Sequence, residues 1–309
     1  VSPTDEFADY ETHIWSKIGG ATLKEAKSYA RPALKEGLNQ YAKLGVNPFK
    51  FGVIGSTDAH NSLSTASEDN YWGSTALGEA SPYRTRIAAM DRAASGYAAV
   101  WATENTREAI FDALLRREVY ASTGPRITVR FFGGWNYVPK DLLNPNPAQI
   151  GYSKGVPMGS DLSLAPRNVS PSFLIQAVKE ADGANLDRVQ VIKGWRDSNG
   201  QLHEKIYNVA LSDGRSETAD GGVSKLISTI DIKNASYSNS IGDPELSTVW
   251  TDPNFKTDEP SFYYLRVLEI PTPRWTAYDA QFYQLTDLPD DTMMITQERA
   301  YTSPIWYTP

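Results

Sequence analysis

The chain of 309 residues contains no cysteine and only three histidines. Without cysteine it can form no disulfide, no thiolate zinc site, no iron–sulfur cluster and no cysteine nucleophile. Long apolar runs are also missing, because stretches such as Phe49 to Ile54 fall far short of the roughly 20 residues that a membrane-crossing helix needs. The sequence therefore predicts a protein without a membrane span.

Basic residues are outnumbered, with 30 Lys and Arg against 37 Asp and Glu, which gives a formal net charge of −7. Binding to a phosphate backbone needs clustered Lys and Arg, so nucleic acid is not an expected partner. The nucleophile elbow, the phosphate-binding loop and the dinucleotide-binding glycine motif are all absent from the sequence. Serine hydrolases of the elbow type and nucleotide-binding enzymes are therefore not expected.

The chain opens with Val1 and shows no basic and apolar leader. Its start is typical of a processed or partial chain whose preceding segment has been removed. The compartment is left open, with a periplasmic or secreted location slightly favoured over the cytoplasm.

Local patterns in the first part of the chain predict helices and one buried strand. Thr22 to Glu25 forms a capping box that predicts a helix start, Pro32 predicts a kink or a second helix, and Gly45 predicts the end. Phe49 to Ile54 is typical of a buried parallel strand. Residues 61–95 then lack apolar periodicity and predict a long functional loop.

The chain beyond Thr123-Gly-Pro125 changes character, because apolar residues recur with a period of two. Phe173, Ile175 and Ala177 alternate with polar neighbours, and Ser198 to Gln201 contains the Asn-Gly pair of a tight hairpin. Further strands are predicted at Arg126 to Phe132, Ser228 to Ile232 and Phe262 to Glu269. These patterns predict an all-β second half, most simply a sandwich.

Candidate chemistry is concentrated at Asp58 and His60, which follow the predicted strand. Residues i and i+2 at the end of a strand point to the same side, so the two side chains could converge on one cation. The alternative is a capping Asp beside a half-buried His. Glu68 and Asp69, in the long loop, are weaker candidates for a general acid or for a carboxylate that orients a metal ligand. The alternative is that they are solvated loop acids.

Other features allow two interpretations each. His13 follows an acidic cluster, formed by Asp5, Glu6, Asp9 and Glu11, that could supply metal ligands or form a hydrated surface. His203 is expected to be a solvent-facing strand residue. The aromatic segments at 271–278 and 297–307 could form a sugar-stacking surface or the seam between two domains.

Six segments resemble a long, largely uncharacterised bacterial family that is similar to the polymerase-and-histidinol-phosphatase (PHP) superfamily of metal-dependent phosphoesterases. They are Phe51 to His60, Glu104 to Ala113, Val119 to Arg126, Asp182 to Asp187, Val249 to Asp252 and Glu298 to Tyr307. In that superfamily the last barrel strand ends in a metal-binding Asp-x-His pair, which Asp58 and His60 match. The resemblance covers nearly the whole chain and says little about the substrate.

The resemblance implies an α/β plus all-β architecture. Residues 1–125 would be the C-terminal strand and helix units of a distorted (β/α)₇ barrel, with residues 61–95 as its active-site loop, and residues 126–309 a β-sandwich-like domain. Two or three divalent ions (Zn, Mn or Fe) would lie at the strand ends. Since the chain lacks a His-x-His motif, the N-terminal half of the same gene product is expected as a partner that completes the site.

The function expected from this resemblance is metal-dependent hydrolysis of a small anionic substrate, a phosphoester or a related ester. Arg84, Arg86 or Arg274 could hold the anionic group through bidentate hydrogen bonds. The alternative is a non-catalytic module whose β domain recognises a glycan or a protein partner.

Overall fold

The computed structural model describes residues 29–63, 65–86, 92–218, 222–224 and 226–309, and the backbone alone of 13–16 and 20–23. The helices in these ranges are α1 (Ala30–Leu44), α2 (Arg107–Leu115), α3 (Pro147–Lys154) and α4 (Trp275–Phe282). The strands are β1 (His13–Ser16), β2 (Gly20–Leu23), β3 (Tyr97–Val100), β4 (Val119–Ser122), β5 (Thr128–Gly134), β6 (Gly155–Pro157), β7 (Ser172–Val178), β8 (Leu186–Arg196), β9 (Leu202–Leu211), β10 (Glu245–Thr251), β11 (Ser261–Glu269), β12 (Thr272–Pro273), β13 (Ile295–Thr296), β14 (Arg299–Thr302) and β15 (Ile305–Tyr307).

Two antiparallel sheets form the body of the protein. One has four strands in the order β10-β7-β5-β6, and the other has seven, in the order β3-β4-β14-β11-β8-β9 with β15 also paired to β11. Two short antiparallel pairs, β1-β2 and β12-β13, form separate two-stranded sheets. No helix in the described ranges is long and apolar enough to cross a bilayer.

The two sheets pack face to face, because alternate residues of their strands enter one shared core. Phe131 of β5 and Phe173 of β7 lie in the same apolar cluster as Val191 of β8 and Leu265 of β11. Phe173 stacks on Phe131 at 5.4 Å and lies 4.7 Å from the ring of Tyr263. This period-two burial is the pattern of a β-sandwich.

The outer faces of both sheets are covered as well. Leu34 and Leu38 of α1 pack with Phe262 and Trp306 on the outside of the seven-stranded sheet. Ile150 of α3 packs against the cluster that contains Phe132 and Leu174 on the outside of the four-stranded sheet. Strands buried on both faces carry apolar residues at consecutive positions, as β11 does.

The expected (β/α)₇ barrel is wrong, since every pair of named strands in the described part of the chain is antiparallel. The apolar run at 49–54 forms no strand. Phe51 and Val53 instead pack against the cluster under α1, and the Val53 N–H donates to Ser303 Oγ at 2.9 Å. An apolar run indicates that a segment is buried, but a segment can be buried without pairing as a strand.

Several local predictions can be compared with the structure directly. Pro32 lies in the first turn of α1 and Gly45 ends the helix with a φ of 74°, as predicted. The helix start at Thr22 is wrong, because Thr22 lies in β2 and α1 begins at Ala30. The β8-β9 hairpin turns at Gly200, with a φ of 82°, as its Asn-Gly pair predicted.

The β-rich character of the chain is confirmed, although the predicted strand at Ser228 to Ile232 is wrong and contributes only an isolated bridge at Asp231. Strand pairing also crosses the division expected after residue 125. Strands β3 and β4 belong to the same sheet as β14 and β11. The first part of the chain thus supplies an edge of the larger sheet.

Removing the aromatic side chain at the centre of the sandwich is expected to destabilise the protein strongly. Phe173 is fully buried, so Phe173→Ala should lower the free energy of unfolding by about 3–5 kcal/mol, through lost transfer energy and the cavity left behind. Urea unfolding followed by tryptophan fluorescence measures the change.

The matched control is Phe282→Ala, because Phe282 is 75 % exposed. Its loss is expected to stay within about 0.5 kcal/mol. Equal losses in the two variants would contradict the described core.

Candidate functional site

A cavity of about 660 Å³ opens at one end of the sandwich. It lies where strand ends of the seven-stranded sheet meet: the register pairs Glu269 with Leu186, Leu268 with Arg299, and Ala300 with Ser122. The loops that leave these ends, together with residues 65–70 and part of α4, form its walls. A rigid two-sheet scaffold thus holds a loop-built pocket.

The pocket is lined mainly by acidic and tyrosine side chains. Six carboxyl groups line it, those of Glu68, Asp69, Glu180, Asp182, Glu269 and Glu298, together with the rings of Tyr97, Tyr237 and Tyr278. Arg126 is the one basic residue among the described lining residues, and it lies near Glu180 (4.0 Å) and over the ring of Tyr97 (5.6 Å). The lining is therefore suited to a neutral or cationic polar molecule rather than to an anion.

Glu68 and Glu298 form a hydrogen-bonded carboxyl pair in this pocket. The N–H of Trp275, at the start of α4, donates to Glu68 Oε2 at 2.6 Å. The hydroxyl of Thr123 donates to Glu298 Oε2. The pair therefore connects the 65–70 loop to the start of β14 and is fixed on both sides.

The pair holds one proton near neutral pH. Burial and, to a smaller extent, the neighbouring Glu68 charge together raise the pKa of Glu298 to about 8. Burial also raises the pKa of Glu68, while Arg274 and the Trp275 N–H favour its charged form. Since two adjacent carboxylates cannot both ionise cheaply, Glu298 carries the proton and Glu68 the charge.

Glu269 is the most deeply buried of the six carboxyl groups, at 1 % exposure. Its Oε1 makes no hydrogen bond, although the residue lines the pocket. Burial and the charges of Glu298 and Glu180 raise its pKa well above the ordinary value. A buried polar atom without a partner is costly, so this oxygen marks a place where a ligand group could bind.

Tyr237 and Tyr278 stay neutral at physiological pH. Burial raises the pKa of both phenols, to about 12 for Tyr278, and nearby carboxylates contribute, Glu269 for Tyr237 and Asp69 for Tyr278. Their rings therefore offer apolar faces and neutral hydroxyl groups beside the acidic groups.

Asp58 and His60 do lie close together, with 3.9 Å between His60 Nδ1 and Asp58 Oδ1. A turn brings them together rather than a strand end, because Asp58 has a φ of 46° and its carbonyl oxygen lies 2.9 Å from His60 Nδ1. Both side chains are exposed, at 71 % and 64 %. Asp tolerates this left-handed conformation better than most residues.

The described residues do not complete a metal site around this pair. No group of three or more His, Asp or Glu side chains that could hold a metal ion occurs among them. The acidic cluster at Asp5, Glu6, Asp9 and Glu11 lies outside the described residues. Two ligands are half of a tetrahedral shell, so the metal role of Asp58 and His60 stays a prediction.

The three arginines predicted to bind an anionic substrate have partners within the protein. Arg84 pairs with Asp279, at 2.6 Å from Nη2 to Oδ1, and its guanidinium lies 4.6 Å from the ring of Trp275. Arg86 pairs with Asp287. Arg274 is 1 % exposed and donates to the carbonyl oxygen of Arg92. As placed, these side chains hold the loop and α4 together.

The other candidates are placed as follows. Glu68 and Asp69 both line the pocket, so the sequence found one member of the carboxyl pair. His203 lies on β9, stacked on Trp195 and 2.9 Å from Asp197 Oδ2. The closing segment is no sugar-stacking surface, because Trp306 and Tyr307 are buried between structural layers.

Sequence reasoning missed Glu298, Glu269 and the three tyrosines. The available signal for Glu269 was its position as the one acidic residue of β11, at the end of that strand. Glu298 opens one of the six segments that carry the family resemblance, but nothing in its neighbours indicates a partner at Glu68. That pairing arises only from long-range contacts.

Comparison with known proteins identifies a family but no individual related protein. A family described as "Protein of unknown function (DUF3604)" matches the chain over residues 1–309. No curated protein and no solved structure shows a significant match. The resemblance to an uncharacterised family is thereby confirmed, whereas no comparison links the chain to the PHP superfamily.

The stability of the protein is expected to fall with rising pH through the titration of Glu298. Its folded-state pKa of about 8 lies above that of an unfolded Glu, about 4.3. The favourable contribution is therefore complete below about pH 4.3 and is lost as pH rises through about 8. Glu298→Gln removes this dependence, because the amide mimics the protonated acid.

Thermal and urea unfolding of wild type and variant between pH 5 and 9 tests this. As pH rises toward about 8, the unfolding free energy of wild type should fall relative to that of Glu298→Gln, by up to about 1.4 kcal/mol per pH unit. Exposed Glu104 provides the matched control, Glu104→Gln, which should follow wild type. A difference that stays constant with pH would contradict the raised pKa.

Proposed function

We propose that this chain, which belongs to the DUF3604 family, is a hydrolase that uses Glu68 and Glu298 as its acid–base pair. The observation that carries the proposal is the hydrogen-bonded, proton-sharing pair of carboxyl groups on the wall of an open pocket. Perturbed titratable groups in a cleft are typical of catalytic sites.

The chemistry that fits this pair is the activation of one water molecule. The Glu68 carboxylate takes a proton from the water while the water oxygen attacks a carbonyl carbon of the substrate. Glu298 donates its proton to the carbonyl oxygen or to the leaving group. Two carboxyl groups that share a proton act on one water. A glycosidase pair would instead be separated by about 5–9.5 Å, so an ester or amide bond is the better substrate.

The electrostatics of the pocket favour a substrate without negative charge. Six carboxyl groups and one arginine line it, and like charges repel an anion strongly where water is displaced. This departs from the anionic ester expected from the sequence. A neutral or cationic ester or amide with donor groups matches an acceptor-rich wall.

Loss of either carboxyl group of the pair is expected to abolish hydrolysis. Glu68→Gln and Glu298→Gln should each lower kcat/KM by about 10²–10⁴-fold, the usual contribution of a general acid or base. A panel of p-nitrophenyl esters and amino-acyl p-nitroanilides provides the assay. The wild-type rate should fall above about pH 8, where the shared proton is lost.

Glu104→Gln is the matched control and should keep wild-type rates. Unchanged hydrolysis in the pair variants would contradict the assignment. Absence of hydrolysis across the panel, with ligand binding intact, would favour the alternative of a glycan- or partner-binding module.

A second candidate, metal-assisted hydrolysis, is favoured by one observation, the 3.9 Å approach of His60 to Asp58. Histidine nitrogen and carboxylate oxygen suit Zn, Mn or Fe ions. Any further ligands would have to come from outside the described residues. A bound ion would supply a polarised water at this pair.

Elemental analysis of the purified protein after exposure to zinc or manganese tests the second candidate. Asp58→Asn and His60→Ala are each expected to reduce the bound metal at least tenfold, since ligand loss commonly costs that much or more. His203→Ala is the control, because His203 is paired with Asp197 elsewhere in the structure. Equal metal content in all four proteins would exclude a site at Asp58 and His60.

A further inference from the structure

We infer that the substrate of this pocket carries a protonated amine, and that Glu269 is the residue that binds it. The inference rests on the proposed function for the identity of the pocket, but it concerns recognition rather than catalysis. It is built on three features of the site: an unpartnered buried oxygen, a nearby lysine whose ammonium group bonds to backbone carbonyl oxygens instead, and a glycine that lies beside the oxygen.

The unpartnered oxygen is Glu269 Oε1. Glu269 ends β11 and is 1 % exposed, yet Oε1 makes no hydrogen bond and the residue lines the cavity. Protein interiors seldom leave such an atom without a partner. A ligand donor is the simplest group to complete it, and an ammonium group offers three donors with a charge.

The nearby basic side chain is committed elsewhere. Lys179 precedes the turn that borders the pocket, and its Nζ donates to the carbonyl oxygens of Glu180, Ala181 and Gly183 at 2.8–2.9 Å. Its ammonium therefore stabilises that turn and does not bond to Glu269. Arg126, the one described basic lining residue, stands beside Glu180 and Tyr97.

Gly183 lies beside this oxygen. A Cβ built at Gly183 would lie 3.6 Å from Glu269 Oε1, so any larger residue at this position would place its side chain in contact with Oε1. Glu180, Glu298, Tyr237 and the charge of Lys179 act on Glu269, and of these only Lys179 favours its carboxylate form. Two carboxyl groups and a neutral phenol around one carboxyl group form a surrounding that attracts an organic cation.

Binding is expected to release a proton. Burial and the neighbouring carboxylates favour the protonated form of Glu269 in the empty pocket, because they raise its pKa well above the ordinary value. When an ammonium group binds, Glu269 becomes a carboxylate and its proton passes to the buffer, which leaves a neutral ion pair in the site. A neutral ligand would bind without this release.

Isothermal titration calorimetry with matched probes tests the inference. L-phenylalaninamide is compared with 3-phenylpropanamide, which lacks the amine, and glucosamine is compared with glucose. The first pair represents an amino-acid source of the amine and the second an amino-sugar source. At least one amine is expected to bind about tenfold or more tightly than its partner. Its binding should also release protons, which titrations in buffers of differing ionisation enthalpy measure.

Glu269→Gln should reduce the amine preference to about twofold or less and abolish proton release. Gly183→Ala gives a second test should the first variant fail to fold, because its methyl group would occupy the space in front of Oε1 and should weaken amine binding at least tenfold. Glu104→Gln should behave as wild type. All titrations are repeated in Glu68→Gln, where hydrolysis is expected to be lost.

The two proposals can fail separately. An amine preference that is retained in Glu68→Gln supports recognition by Glu269 whatever the hydrolysis assays show. Equal binding of amine and neutral probes, an amine preference that survives Glu269→Gln, or no binding of any probe to wild type would each overturn the amine inference. Hydrolysis that depends on Glu68 and Glu298 would stand in all three cases.

Discussion

The structure depends above all on the burial of β11. All nine of its residues are buried, because it pairs with β8 on one side and with β14 and β15 on the other while both of its faces are covered. One face enters the sandwich core through Tyr263 and Leu265, and the other meets α1 through Phe262 and Tyr264. A strand in this position determines which residues at its ends are withdrawn from water.

The acidic pocket follows from that burial. Glu269 is the last residue of β11 and is therefore held in the interior, where the charged form of a carboxyl group is disfavoured. The same edge of the sheet brings Glu298 beside Glu68, so three carboxyl groups with raised pKa values share one end of the sandwich. These three carboxyl groups, which are costly to ionise, thus lie together at one open pocket, which is the arrangement expected of a functional site rather than of a structural core.

Sequence patterns predicted the parts of the fold that depend on neighbouring residues. Gly45 and the Asn-Gly turn at Gly200 are local signals of backbone conformation, and both hold in the structure. The strand predicted from the apolar run at 49–54 is wrong, because packing under α1 and pairing in a buried sheet both require apolar side chains. Glu68 was identified as a possible acid from its loop. Its partner Glu298 lies far along the chain, just before β14, and no local pattern predicts the contact between the two.

The order of strands in the larger sheet has a consequence for how the protein is made. Strand β14 lies between β4 and β11, so β3 and β4 join the rest of the sheet only through residues 299–302. On the ribosome, the early strands therefore emerge long before the strand that connects them. Such late, non-local pairing slows folding and leaves sheet edges exposed in the meantime, so the nascent chain passes through a period in which it is vulnerable to mispairing and to association with chaperones.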